Sequence, residues 1–162
     1  MPSPPLPRRK SPRLPLFDYS QTGVYFVTIC THQRDYFFGN ITNNTMKFSA
    51  VGQIAYKQWG KLSAHFKQVT IPVFVVMPNH VHGLISIDEQ PRINHRPALG
   101  TIVGSYKAAV TRQVNRELDN PPATLWQARF HDHIIRNEED FKKIYDYIQT
   151  NPLRWEQDVF NG

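Results

Sequence analysis

Two short motifs set histidines two residues apart: His80-Val81-His82 and His131-Asp132-His133. On a strand, side chains alternate faces, so both rings of a pair would project the same way, about 7 Å apart along the chain. Two imidazoles so placed can converge on one cation. The pairs differ in what stands between them. Val81 is in phase with Ile85 and Ile87. The first strand can therefore bury an apolar face and turn its histidines away from it. Truncating them is then expected to remove ligands without opening a cavity in the core. Asp132 gives the second pair no opposing apolar face, which ranks it second as a metal site. His133 could instead hydrogen-bond a phosphate or orient a neighbour. The plain alternative for either pair is two half-exposed histidines with no ligand, and a bare His-x-His does not exclude it. Later in the chain Tyr147 and Asn151 stand four residues apart, one helical turn. Phe141, Ile144, Tyr145 and Ile148 form a stripe on the same segment. Tyr147 lies roughly 110° from the centre of that stripe, and Asn151 roughly 70° away on the same side. Tyr145 reads as packing. The Tyr147–Asn151 pair reads as a helix edge that could face a shared site, or as an ordinary half-exposed tyrosine and a C-terminal asparagine.

The elements that must position these residues follow from patterning. Val24 to Thr31 is β-branched and aromatic and reads as a strand buried on both faces. Ser49 can cap a helix with the stripe Val51, Ile54, Ala55, Trp59 and Leu62. Val73 to Met77 and His80 to Ile87 read as strands joined at Pro78-Asn79. That dipeptide is not a favoured two-residue hairpin, so a looser turn or a bulge is expected. Asp88 to Ala98, with Pro91 and Pro97, reads as a loop. A second helix is expected from about Thr101 to Leu118, with Ile102, Tyr106, Val110 and Val114 one turn apart, and Asn120-Pro121-Pro122 breaks it. Phe130 to Ile135 reads as a fourth strand. Asn137 caps a third helix that begins Glu138, Glu139, Asp140, which suits the helix dipole. It is expected to end near Asn151, ahead of Pro152. The order β-α-β-β-α-β-α describes an α+β protein. Two βαβ-like halves joined by a hairpin suggest a ferredoxin-like antiparallel sheet with flanking helices and an extra C-terminal helix, which carries the tyrosine.

Four segments in order, MPNHVHGLI, LGTIVGSYKAAVTRQVN, WQARFHDHIIRNEEDF and YIQTNPLRWEQD, resemble the REP-associated tyrosine transposases, within the HUH class of single-tyrosine enzymes. The resemblance runs from about Tyr25 to Asp158. It implies a ferredoxin-like fold, metal ligands at His80 and His82, and a nucleophile at Tyr147, the first position of the YIxxNP motif. Asn151 stands where the wider class places a polar metal ligand. The resemblance makes Lys107, Arg112, Arg136 and His133 candidates for DNA contact. It implies cleavage of single-stranded, hairpin-bearing DNA through a 5′-phosphotyrosine, with rejoining by a free 3′-hydroxyl. Tyrosine needs a cation or base to lower its pKa of about 10 before it attacks. Imidazoles alone would suit Zn, Fe or Ni. Phosphoryl chemistry and the resemblance favour Mg2+ or Mn2+. A replication-initiator-type nuclease of the same class, a DNA-binding descendant without transposition activity and a metal-dependent phosphohydrolase remain as alternatives. Monomer and homodimer both stay open.

Composition agrees with a nucleic-acid partner. The 162 residues fit one domain, and 40% hydrophobic content can fill a core. Nineteen basic against thirteen acidic residues give +6. Arg8, Arg9, Lys10 and Arg13 lie in a proline-rich leader; without them 15 basic residues face 13 acidic, about +2. Residues 1–20 therefore read as an extended arm, and 21–162 as one catalytic domain. No apolar run is long enough to span a bilayer, and Cys30 is the single cysteine. A cytoplasmic, membrane-free setting is the expectation. Tyr36, Phe37 and Phe38 could stack bases, although core packing is the more ordinary use of a Phe-Phe pair.

Overall fold

The computed structural model describes residues 23–88 and 98–157. The arm, the middle of the Asp88–Ala98 loop and the last residues lie outside them. Among the described residues, seven strands and four helices keep the expected order and add to it a hairpin, the short helix Leu62–His65 and the strand Val69–Thr70. β1 (Gly23–Cys30) leads to a hairpin of β2 (Gly39–Thr42) and β3 (Thr45–Phe48). Then come α1 (Ala50–Gly60), the short α2 (Leu62–His65), β4 (Val69–Thr70), β5 (Phe74–Met77) and β6 (His80–Ile87). α3 (Leu99–Glu117), β7 (His131–Ile135) and α4 (Glu138–Gln149) complete the fold. A 3₁₀ segment, Asn151–Gln157, follows α4. The hairpin was not anticipated from the pattern. Its turn residues Asn43 and Asn44 both have left-handed backbone, φ 52° and 59°. This is the paired geometry of a tight hairpin turn, which asparagine tolerates.

The main sheet runs β7-β1-β6-β5, all antiparallel, with β4 on the far end of β6. This is the strand order of two interleaved βαβ units, so the ferredoxin-like reading is correct. Register decides the site. Thr28 of β1 lies opposite both His82 and His131, and Phe26 lies opposite Leu84 and His133.

The two faces of the sheet have different covers. Tyr25, Val27, Ile29, Val81, Ile85 and Ile87 are buried beneath α1 and α3. The α1 stripe Val51, Ile54, Ala55, Trp59 and the α3 stripe Ile102, Tyr106, Val110, Val114 are all buried, as their spacing requires. Ser49 Oγ caps α1 by accepting from Gly52 N–H at 3.0 Å. Across the layer Trp59 meets Tyr106 edge-on at 4.7 Å, and Tyr106 donates to the Ala55 carbonyl at 2.9 Å. No helix of the described residues is long and apolar enough to cross a membrane.

Trp59 lies directly over Gly83 of β6. A methyl group at Gly83 would overlap Cζ2 and Cε2 of the indole. The large ring therefore needs a glycine in the strand that carries the histidines. Gly83→Ala is expected to lower the unfolding free energy by about 1–3 kcal/mol, as overpacked cores do. A urea midpoint unchanged from that of the unaltered protein would refute this.

β5 and β6 are joined by a two-residue turn, with Met77 paired to His80. The expected looser turn is not formed. Neither Pro78 nor Asn79 has positive φ, so the turn is not of the usual hairpin kind. External bonds hold it instead: Phe38 N–H donates to the Pro78 carbonyl and Thr31 N–H to the Asn79 carbonyl, each at 3.0 Å.

Candidate active site

β6 turns Val81, Gly83, Ile85 and Ile87 toward α1 and α3, and His80 and His82 toward α4. The two imidazoles meet edge to face, ring centroids 4.4 Å apart. Each is held through Nδ1. Asn79 Oδ1 lies 2.8 Å from His80 Nδ1, and Thr28 Oγ1 lies 2.8 Å from His82 Nδ1. Trp155 stacks on His80 at 6.2 Å, and Phe26 leans on His82 at 5.2 Å.

α4 carries Tyr147 onto the same face. Asn137 caps the helix, its Oδ1 accepting from Asp140 N–H at 2.8 Å. The phenol ring lies 5.4 Å from the ring of His82 and 6.4 Å from that of Phe26. Ile148 is the buried residue of the helix, and Tyr145 is half-buried and stacked on Phe141 at 6.0 Å. The sheet-facing direction is thus rotated toward Tyr147 relative to the hydrophobic stripe. The helix ends at Gln149, and Asn151 opens the 3₁₀ segment with no exposed surface.

Burial of the histidines corrects one expectation. His80 is 0% and His82 2% exposed. They fill a second, polar core between sheet and α4, so truncation would leave a void here. Burial and the neighbouring His82 push His80 well below the ordinary imidazole value, with Arg34 adding to this; the side chain of Asn151 works the other way. Burial, followed by His131, pushes His82 down to about 3. Both rings are therefore neutral in the fold at pH 7. In the unfolded chain they take up protons near pH 6.5. The unfolded state then binds more protons, so stability is lost as pH falls from about 6.5 toward 3. His82 contributes a slope of about 1.4 kcal/mol per pH unit inside that window, and His80, lowered likewise, acts in the same direction. Thermal unfolding followed from pH 7.5 to 4 is expected to show this loss, and a flat Tm over that range would contradict it.

The donor set is two imidazoles and one amide. Among the described residues no group of three or more His, Cys, Asp or Glu could hold a metal ion. Nε2 of His80 and of His82 are buried and stand outside the hydrogen bonds described above. The amide of Asn151 is close enough to His80 to favour the protonated ring, yet neither of its atoms reaches hydrogen-bond geometry with a described residue. Burying an amide unsatisfied costs about 1–3 kcal/mol. Two imidazole nitrogens and an amide oxygen could jointly ligate a cation, which would relieve that cost.

The remaining candidates are spread over the molecule. His133 Nε2 lies 3.2 Å from Asp140 Oδ2 and so ties β7 to the first turn of α4; this is the neighbour-orienting use. His131 is exposed on the face of the histidine pair. Lys107 is half-buried, and its ammonium donates to the Gln127 carbonyl at 2.7 Å. Arg112 lines a cavity of about 380 Å³ with Lys61 and His65, beside Tyr106 of the helical layer and away from His80. Arg136 is exposed between β7 and α4. Of the three aromatics, Phe38 is core and Phe37 packs against it, while Tyr36 is 40% exposed and meets Trp155 edge-on at 5.7 Å. The pattern did not single out Thr28, Asn79, Phe26 or Trp155. The first three become visible only through cross-strand register and the turn.

The chain belongs to the IS200-like transposase family, whose match covers residues 19–151. It is 36% identical to an uncharacterized Haemophilus influenzae protein over 93% of this chain and 91% of that one. It is 26% identical to a REP-associated tyrosine transposase of Escherichia coli over 52% of this chain and 44% of that one. Among solved structures, a REP-associated tyrosine transposase bound to a REP hairpin superposes with a TM-score of 0.65 at 21% identity. That alignment covers 91% of this chain and 74% of the other. At that identity the likeness speaks for the fold.

Proposed function

We propose that this transposase-family protein cleaves and rejoins single-stranded, hairpin-bearing DNA through a covalent bond from Tyr147 to a 5′-phosphate. The observation that carries the reading is the phenol of Tyr147 set 5.4 Å from His82, ring to ring, within one chain. His80, His82 and Asn151 would hold a divalent cation, Mg2+ or Mn2+. When bound, such a cation supplies charge neutralisation at a phosphate oxygen and lowers the barrier to attack. Tyr147 gives up its phenolic proton to solvent, its oxygen bonds to phosphorus, and the bond from phosphorus to the 3′-oxygen breaks. The released 3′-oxygen takes up a proton from solvent as a hydroxyl. The phosphotyrosine retains the energy of the broken linkage, so an incoming 3′-hydroxyl reverses the step without ATP. Neutral imidazoles suit this chemistry, because they offer lone pairs. Residues 1–20, through Arg8, Arg9, Lys10 and Arg13, add phosphate affinity to the catalytic domain. Arg112, Arg136 and His133 remain DNA-contact proposals. Lys107 joins them only if its bond to Gln127 opens.

The test is a competition assay. A hairpin with single-stranded flanks is expected to outcompete perfect duplex of the same sequence. Its affinity should fall steeply between 50 and 200 mM salt, roughly 10-fold or more if several phosphates are contacted. Equal affinity for the perfect duplex would sink the hairpin reading.

A further inference from the structure

We infer that Asn79 and Thr28 are positioning residues: Asn79 holds His80 in the tautomer that carries its proton on Nδ1, and Thr28 fixes the ring plane of His82, so that the Nε2 lone pairs converge. The inference rests on the metal reading of the histidine pair and adds to it two residues that touch neither phosphate nor cation.

The argument begins at the turn. Asn79 is fully buried, and its backbone carbonyl accepts from Thr31 N–H at 3.0 Å. That bond places the residue before its side chain is considered. The amide then has two ends to place. Nδ2 points at the Arg34 carbonyl at a long 3.4 Å, and Oδ1 at His80 Nδ1 at 2.8 Å. Turning the amide over would set an oxygen against the Arg34 carbonyl oxygen, a repulsive contact, so the orientation is determined. An amide oxygen can only accept. His80 Nδ1 must therefore donate, and a neutral ring that donates from Nδ1 holds its lone pair on Nε2.

Thr28 treats His82 similarly from the neighbouring strand. It is 5% exposed, lies opposite His82 in the register, and presents Oγ1 at 2.8 Å from Nδ1. A hydroxyl can donate or accept, so this contact fixes the ring plane and permits the same tautomer. Partners of this kind on the non-ligating nitrogen orient imidazoles toward metals, and losing one costs about 10–100-fold in affinity.

The test uses the full chain with 15N-labelled histidine. Long-range 1H–15N correlation spectra of the metal-free protein near pH 7.5 report the tautomer of each ring. Both His80 and His82 are expected to show a protonated Nδ1 and a bare Nε2. Asn79→Ala should release His80 into a tautomer mixture and weaken Mn2+ binding by calorimetry about 10–100-fold. Thr28→Val should act in the same way on His82, and Thr28→Ser should restore it. A protonated Nε2 on either ring of the unaltered protein overturns the inference. So does an Asn79→Ala protein that is folded, keeps the tautomer and binds Mn2+ within twofold of normal. An unaltered protein with both rings locked but no affinity for Mn2+ supports the positioning role and sinks the metal reading, so the two failures are distinguishable.

Discussion

Tyr147→Phe is expected to bind a hairpin oligonucleotide as tightly as the unaltered protein and to form no covalent adduct with it. The change removes one oxygen. The ring keeps its contacts with His82 and Phe26, which lie 5.4 and 6.4 Å away between centroids. α4 therefore stays seated, and binding, which depends on phosphate contacts elsewhere, is preserved. The chemistry loses its nucleophile outright, a fall on the order of 10⁴ or more in rate. Tyr145→Phe is the matched control. Tyr145 stacks on Phe141 at 6.0 Å, two residues around the helix from the site, and its loss should leave the adduct intact. A denaturing gel of labelled oligonucleotide with Mn2+ decides between the two. An adduct that survives in Tyr147→Phe and disappears in Tyr145→Phe would move the nucleophile to Tyr145.

That contrast also shows where the sequence was informative. Alternation along His80–Ile87 separated the histidines from the core residues, because a strand with one heavily apolar face has a single stable register. The α1 and α3 stripes were legible for the same kind of reason. The orientation of α4 was only partly legible. A helical wheel centred on Phe141, Ile144, Tyr145 and Ile148 put Tyr147 at the edge. The aromatic face it meets, His82 and Phe26, adds to what α4 buries and rotates it. A wheel weighs only apolar residues and cannot represent a helix docked on histidines. The β2–β3 hairpin escaped because its strands are four residues each and mostly exposed. Asn43-Asn44 was the available signal. Thr28 and Asn79 were illegible in principle, since their roles depend on which strand lies beside β6 and on how one turn is held.

His80→Ala and His82→Ala are expected to abolish metal-dependent cleavage, and the burial of both rings dictates how that result must be read. Each truncation removes a buried ring and leaves Asn79 Oδ1 or Thr28 Oγ1 without its bond. That costs about 1–3 kcal/mol for the orphaned group, with a further term for the void. Lost cleavage alone would therefore confuse a missing ligand with a weakened fold. Mn2+ separates the two. A cation that binds only the folded chain raises the unfolding free energy by about 2.7 kcal/mol at 100 times its Kd. The unaltered protein should show this rise in Tm and lose it on chelation. The two alanine variants should begin at a lower Tm and gain nothing from Mn2+. His131→Ala, an exposed site on the same face, should begin near the normal Tm and keep the gain. If His82→Ala still gains Tm from Mn2+ as the unaltered protein does, His82 is packing and not a ligand. The pair would then have to be read as the polar core that seats α4.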